Sequence, residues 1–157
     1  MTALRRVVFD TSTLVGAALK INSVPHRALL EVLARCDLCA SAQTWLELEL
    51  VMQRKRFDAY LPASARRDFV ALVRQHLHFF AVTSANEVGL SPPCRDHKDN
   101  KFLALAQVCQ ADALVSSDAD LCSLNPWNGV PILSAAALLD RFAFRPDEST
   151  RPDESTP

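Results

Sequence analysis

The sequence predicts an α/β domain with a mainly parallel central sheet and helices on both faces. Three observations predict it. Short apolar, β-rich runs alternate with segments of helical periodicity. Several segments open on a residue able to cap a helix, which places a crossover helix after a strand. The chain has 157 residues, 49% of them hydrophobic, enough for one core without disulfides or a structural metal.

The elements follow in order. Arg6–Phe9 is a first strand that stops at Asp10. Ser23-Val-Pro25 supplies an N-cap and a first-turn proline, opening a helix from His26 through Ala34. Leu38–Ala40 reads as a short strand. Ser41 caps the next helix, Thr44–Arg56, whose closing Arg54-Lys55-Arg56 suits the negative helix end. Pro62 and Ser64 begin another helix, with Phe69, Leu72, Val73 and Leu77 on one stripe. Phe79–Val82 reads as a strand. Past Pro92 and Pro93, the alternation resumes with a helix over Asp99–Gln110 and a strand at Ala113–Ser116. A turn holding Asp118 and Asp120, a strand at Pro131–Leu133 and a Ser134-capped helix, Ala135–Phe142, complete the domain.

The end of the chain differs in composition. Arg145–Thr150 reads RPDEST, Arg151–Thr156 repeats it, and Pro157 closes the chain. Without a large apolar side chain, this stretch cannot offset the entropy of ordering. The expected organisation is a folded domain over residues 1–144 and a disordered tail over 145–157. Setting aside the tail's two arginines and four acids leaves 15 basic and 14 acidic residues, a net charge of +1. That balance excludes a strongly basic, non-specific nucleic-acid binder, so affinity for RNA has to come from local patches. Five cysteines (36, 39, 94, 109 and 122) make an odd number, and Cys36-x-x-Cys39 lacks the second pair of a zinc ribbon. Buried structural thiols are expected. With no signal peptide and no apolar run near the ~18 residues of a membrane span, the expected location is a reducing cytoplasm.

In parallel α/β sheets, ligands collect at the carboxyl ends of the strands. Asp10 follows the first strand and Asp118 follows Ala113–Ser116, so both point toward that edge. Each is equally suited to cap the next helix or turn. Asp96 is placed to cap the helix beginning near Asp99, and Asp99 then falls in the first turn, where negative charge is favoured. Glu47 and Glu49 lie in a helix apolar almost all the way round, where an unpaired carboxylate is costly. Spacing leaves the two glutamates undistinguished. Asp120 suits a turn cap or a supporting position. Several carboxylates at one place call for a divalent cation, and oxygen-only ligands suit Mg2+ or Mn2+. Such ions activate water and stabilise charge on a phosphodiester. No nucleophile–histidine pair stands out, and three glycines exclude a glycine-rich phosphate loop.

These segments, in this order, resemble the PIN-domain family over roughly residues 5–142, most closely its VapC-like branch of toxin–antitoxin ribonucleases. Asp10-Thr-Ser12 matches an opening Asp-Thr-Asn, and Glu47-Leu48 matches a helix-borne glutamate followed by leucine. Cys94–Ala106 matches a block of the form CRDxxDxKFLALA, and Ser116–Leu121 matches a T/S-x-D-x-D-L turn. The last two blocks are the specific ones. The resemblance implies a PIN-like three-layer fold and a metal-dependent ribonuclease. It implies Mg2+ or Mn2+ held by Asp10, Glu47, Asp99 and Asp118, favours Glu47 over Glu49, and adds Asp120 as a further ligand. Asp96, Ser12 and Ser116 become auxiliary residues. It also implies a homodimer and a cognate antitoxin protein. Ser12 stands where asparagine is usual, which implies a weaker hold on the site.

Lys98, Lys101, Arg54, Lys55 and Arg56 are candidates to hold an RNA backbone, although a solvated helix end accounts for Arg54–Arg56 as well. His97 suits an exposed loop better than a hard-ion site. Two other readings compete. A phosphohydrolase with an aspartyl nucleophile, of the haloacid-dehalogenase class, needs Asp two residues and Thr four residues after Asp10, where Ser12 and Leu14 stand. A non-catalytic PIN-like module binding RNA or protein would keep the fold without the chemistry.

Overall fold

The computed structural model of the chain describes residues 3–143. The tail expected at 145–157 lies outside the described residues.

Five strands form a fully parallel sheet in the order β3-β2-β1-β4-β5. They are β1 (Arg6–Phe9), β2 (Asp37–Ala40), β3 (Leu77–Phe79), β4 (Ala113–Val115) and β5 (Ile132–Leu133). The helices are α1 (Thr11–Leu19), α2 (Val24–Arg35), α3 (Ala42–Met52), α4 (Ala63–Arg74), α5 (Ser84–Val88), α6 (Asn100–Val108), α7 (Ala119–Cys122) and α8 (Ala135–Ala143). The chain builds outward from β1 through β2 and β3, then returns to add β4 and β5 on the other side. Strand order therefore reverses between β1 and β4, where the carboxyl ends form a crevice.

The central strand faces two cores. Val7 and Phe9 pack into one with α1, α2, α3 and α8, while Val8 packs into the other with α6. Alternation along a strand buried on both sides is the reason β1 is apolar at Val7, Val8 and Phe9. The three-layer α/β architecture is as the sequence predicts, with every strand pair parallel.

Several boundaries differ. The segment after Asp10, for which no helix was expected, forms α1, which buries Thr11, Thr13, Leu14, Val15, Ala17 and Ala18. A helix buried almost all round shows little amphipathic signal, and that hid it. Gly16 lets α1 approach α2 closely, since a methyl at its Cα would stand 3.3 Å from the Pro25 ring. Ser41 forms a capping box with Thr44, so α3 starts at Ala42, two residues early.

The same helix stops at Met52 rather than Arg56, and Lys55–Ala59 form a 3-10 turn. The cause is Arg66, only 2% exposed. Its Nε donates to the Met52 carbonyl at 2.8 Å, Nη1 donates to the Leu61 carbonyl, and Nη2 pairs with Asp58 at 2.8 Å. Orphan carbonyls are thus satisfied from α4 rather than by continuing the helix. β3 covers Leu77–Phe79 instead of Phe79–Val82, set by pairing of Leu38 with Leu77 and Ala40 with Phe79. A 3-10 turn at His97–Asp99 precedes α6, and α6 ends at Val108. The turn at Asp118 winds into α7.

The thiols behave as small apolar groups. All five cysteines are free, Cys39, Cys94 and Cys109 are buried, and the Cys36 thiol donates to the Leu4 carbonyl at 3.2 Å. No helix among the described residues is long and apolar enough to cross a membrane.

Candidate active site

Asp10 stands at the reversal point and is only 4% exposed. Its backbone N–H extends the β1–β4 ladder to the Val115 carbonyl at 3.0 Å, which fixes it opposite Ser116. Oδ1 accepts from the Thr13 N–H at 2.9 Å and the Thr13 hydroxyl at 2.5 Å, capping α1. Oδ2 accepts from the Ser116 hydroxyl at 2.5 Å. The exposed Ser12 hydroxyl lies 3.3 Å from both oxygens, so the serine in the asparagine position still donates to Asp10.

Ser116 joins two acids. Its hydroxyl donates to Asp10 and accepts from the Asp118 N–H at 3.0 Å. Asp118 in turn caps α7, with Oδ2 accepting from the Leu121 N–H at 3.0 Å. Asp120 lies in the first turn of that short helix, half-buried.

Asp99 enters from the other core. The loop before it is anchored at both ends. The buried Asn100 accepts from the Cys94 N–H at 2.7 Å, and the Trp127 indole donates to the Pro92 carbonyl at 2.8 Å. The exposed Asp96 caps the 3-10 turn through the Lys98 N–H at 3.0 Å, rather than α6, the helix it was expected to cap. Asp99 itself is the first residue before α6 but makes no capping bond. Its carboxyl is pushed up from 3.8 to about 6, first by desolvation and then by the charges of Asp118, Asp96, Asp10 and Glu47. Acids from four separate segments thus act on one carboxyl group.

The two glutamates that spacing left undistinguished part ways. Glu47 Oε2 takes the Lys101 ammonium at 2.6 Å, which joins α3 to α6 beside Asp99. Glu49 turns to Arg74 of α4 at 3.7 Å. Lys98 is exposed on the 3-10 turn. Arg54, Lys55 and Arg56 are also exposed, but in the turn between α3 and α4. Since α3 starts at the end of β2, eleven residues carry its far end about 16 Å from that strand. These three cations follow the end of α3 at Met52 and do not close that helix as expected.

The donor set is oxygen only, which fits a hard divalent ion. Among the described residues, however, no three His, Cys, Asp or Glu side chains stand close enough about one point to enclose a metal as they are placed. As placed, Glu47 pairs with Lys101, and Asp10 accepts from the Thr13 and Ser116 hydroxyls. Sequence reasoning assigned no site role to Thr13 and Asn100, which orient Asp10 and the Asp99 loop. Their signals were available in the Asp-to-Thr spacing of an N-cap and in the asparagine that follows Asp99.

The family model described as the PIN domain matches residues 6–120. The chain belongs to the PIN-domain family. Solved structures share the PIN fold at low identity. The protein PAE2754 of Pyrobaculum aerophilum is 15% identical with a TM-score of 0.60, over 89% of this chain and 91% of its own. VapBC2 of Rickettsia felis, solved with a DNA fragment from its promoter, is 12% identical with a TM-score of 0.60, over 82% and 98%. VapC20 of Mycobacterium tuberculosis, described as a sarcin-ricin loop cleaving toxin, is 14% identical with a TM-score of 0.51, over 74% and 93%. No curated protein sequence matches this PIN domain.

Proposed function

We propose that this PIN-domain protein is a metal-dependent endoribonuclease, the toxin of a toxin–antitoxin pair, which cleaves RNA phosphodiester bonds. The observation that carries the reading is Asp99, whose carboxyl is held up to about 6 by desolvation and by Asp118, Asp96, Asp10 and Glu47. A half-buried carboxyl within reach of four other acids is costly for a fold and useful for binding a cation.

Asp10, Glu47, Asp99 and Asp118 would hold Mg2+ or Mn2+, with Asp120 as a further ligand. A bound ion of this kind supplies an activated water and stabilises charge on the phosphodiester. The remaining work belongs to the chain. Thr13, Ser12 and Ser116 hold the Asp10 carboxylate in one orientation, and the Asp118 N–H fixes the Ser116 hydroxyl. Lys98 and Lys101 flank Asp99 and supply positive charge for an RNA backbone. The VapBC2 and VapC20 likenesses support a cognate antitoxin and an RNA substrate for this chain. A homodimer in the cytoplasm completes the reading.

A second reading, a non-catalytic PIN module, draws support from the Lys101–Glu47 pair and from acids not drawn about one point. A fluorescent RNA incubated with Mn2+, with and without chelator, separates the two. Cleavage is expected in the parent with Mn2+ and is expected to vanish in folded Asp10→Asn, Asp99→Asn and Asp118→Asn. Cleavage undiminished in Asp10→Asn, or indifferent to chelator, refutes the metal-site assignment.

A further inference from the structure

Lys101 is placed among acids in a way that the nuclease reading alone does not require. It is the second residue of α6, two positions beyond Asp99, and its ammonium reaches 54 positions back to Glu47 on α3. At 2.6 Å the contact is a charge-assisted hydrogen bond, with the side chains 21% and 32% exposed. The ammonium also sits 5.6 Å from the ring centroid of the buried Phe102. The charge of Glu47 still reaches Asp99 and helps raise its carboxyl. An ion bound by Glu47 at ordinary oxygen distances would stand only a few ångströms from this ammonium, and the two cations would repel.

We propose that Lys101 is an internal counter-cation, which holds Glu47 when no divalent ion is bound and gives it up when one binds. The inference rests on the metal-nuclease reading above. Lysine suits the part, being a compact charge on a flexible four-carbon stem that can leave one acceptor for another. The exchange lowers metal affinity and frees an ammonium beside Asp99, where a phosphate of the RNA backbone can accept it.

The test is calorimetric titration of Mn2+ into the full chain as parent, Lys101→Met, Glu47→Gln and the double variant. Lys101→Met is expected to bind Mn2+ on the order of tenfold more tightly than the parent, because release of the ion pair no longer opposes binding. In the Glu47→Gln background the same change is expected to gain about twofold or less, because the competition runs through that carboxylate. Equal or weaker binding by Lys101→Met overturns the inference, as does an undiminished gain in the Glu47→Gln background. A parent that takes up no Mn2+ overturns the metal reading and this inference together, whereas a parent that binds while Lys101→Met gains nothing overturns this inference alone. A second measurement needs no variant and decides the matter if Lys101→Met fails to fold. Amine-reactive labelling of Lys101 in the parent, followed by mass spectrometry, should be slow without metal and several-fold faster at saturating Mn2+. A rate unchanged by bound Mn2+ overturns the exchange.

Discussion

Replacing Asp99 by Asn should stabilise the metal-free protein, and the gain should depend on pH in a defined direction. The folded Asp99 carboxyl keeps its proton up to about 6, whereas the reference value is 3.8. Between those values the folded state binds more protons than the unfolded one, so stability falls as pH rises through the window. Above it the cost is fully present. A shift of about 2 pH units corresponds to a ceiling of about 3 kcal/mol. The group is only half-buried, and solvent screening brings the expected gain of Asp99→Asn to about 1–2 kcal/mol. No capping bond is lost, because Asp99 makes none.

For a domain of this size the gain amounts to about 2–8 °C in the melting midpoint. The assay is a set of melting curves for parent and Asp99→Asn, with chelator, from about pH 4 to about pH 7.5. The difference should be largest at the alkaline end and nearly close at the acid end. Millimolar Mn2+ should then narrow or reverse it, since a ligand of the folded state stabilises whichever protein binds it better. A variant less stable than the parent at about pH 7.5, or a gap that ignores pH, refutes the argument from crowded carboxylates.

Other perturbations test other parts of the reasoning. Thr11→Val should be neutral or stabilising by up to about 1 kcal/mol in urea, because the Thr11 hydroxyl is buried without a partner; a clear loss would show that it has one. Arg66→Met should cost about 3 kcal/mol by urea midpoint, since the Met52 and Leu61 carbonyls lose their donor; a cost below about 1 kcal/mol would remove Arg66 as the stop for α3. Deleting residues 145–157 should leave the melting midpoint within about 1 °C of the parent, and a larger drop would show that RPDEST contributes to the fold.

The fold was legible where local chemistry and burial agree. Ser23 with Pro25, Ser41 with Thr44, and Ser134 all cap helices near where spacing placed them. Apolar runs at Arg6–Phe9 and Ala113–Val115 became the central parallel pair. What failed depended on distant partners. Arg66 ends α3 from across the hairpin, and pairing with β2 draws β3 toward Leu77. α1 failed for a different reason, since a helix buried nearly all round carries no amphipathic stripe to read. At the site, the acids' strand-end and helix-start positions were readable, but the choice between Glu47 and Glu49 needed a partner. Lys101 and Arg74 lie 54 and 25 positions away, beyond any local pattern.

Capping and function entered the sequence argument as rivals for Asp10 and Asp118, and the structure makes them one arrangement. In a parallel sheet each crossover helix starts where its strand ends, so an acid that caps the helix stands at the carboxyl edge. Asp10 caps α1 and Asp118 caps α7, and Ser116 ties the two caps together across the β1–β4 reversal. The donors that cap a helix also fix a carboxylate in place and satisfy its charge. Asp99 lacks such donors, so desolvation first, and then the charges of Asp118, Asp96, Asp10 and Glu47, lift its carboxyl to about 6. The fold thus sorts the acids by their hydrogen bonds, with two anchored by their helices, one held by Lys101, and one half-buried without a donor.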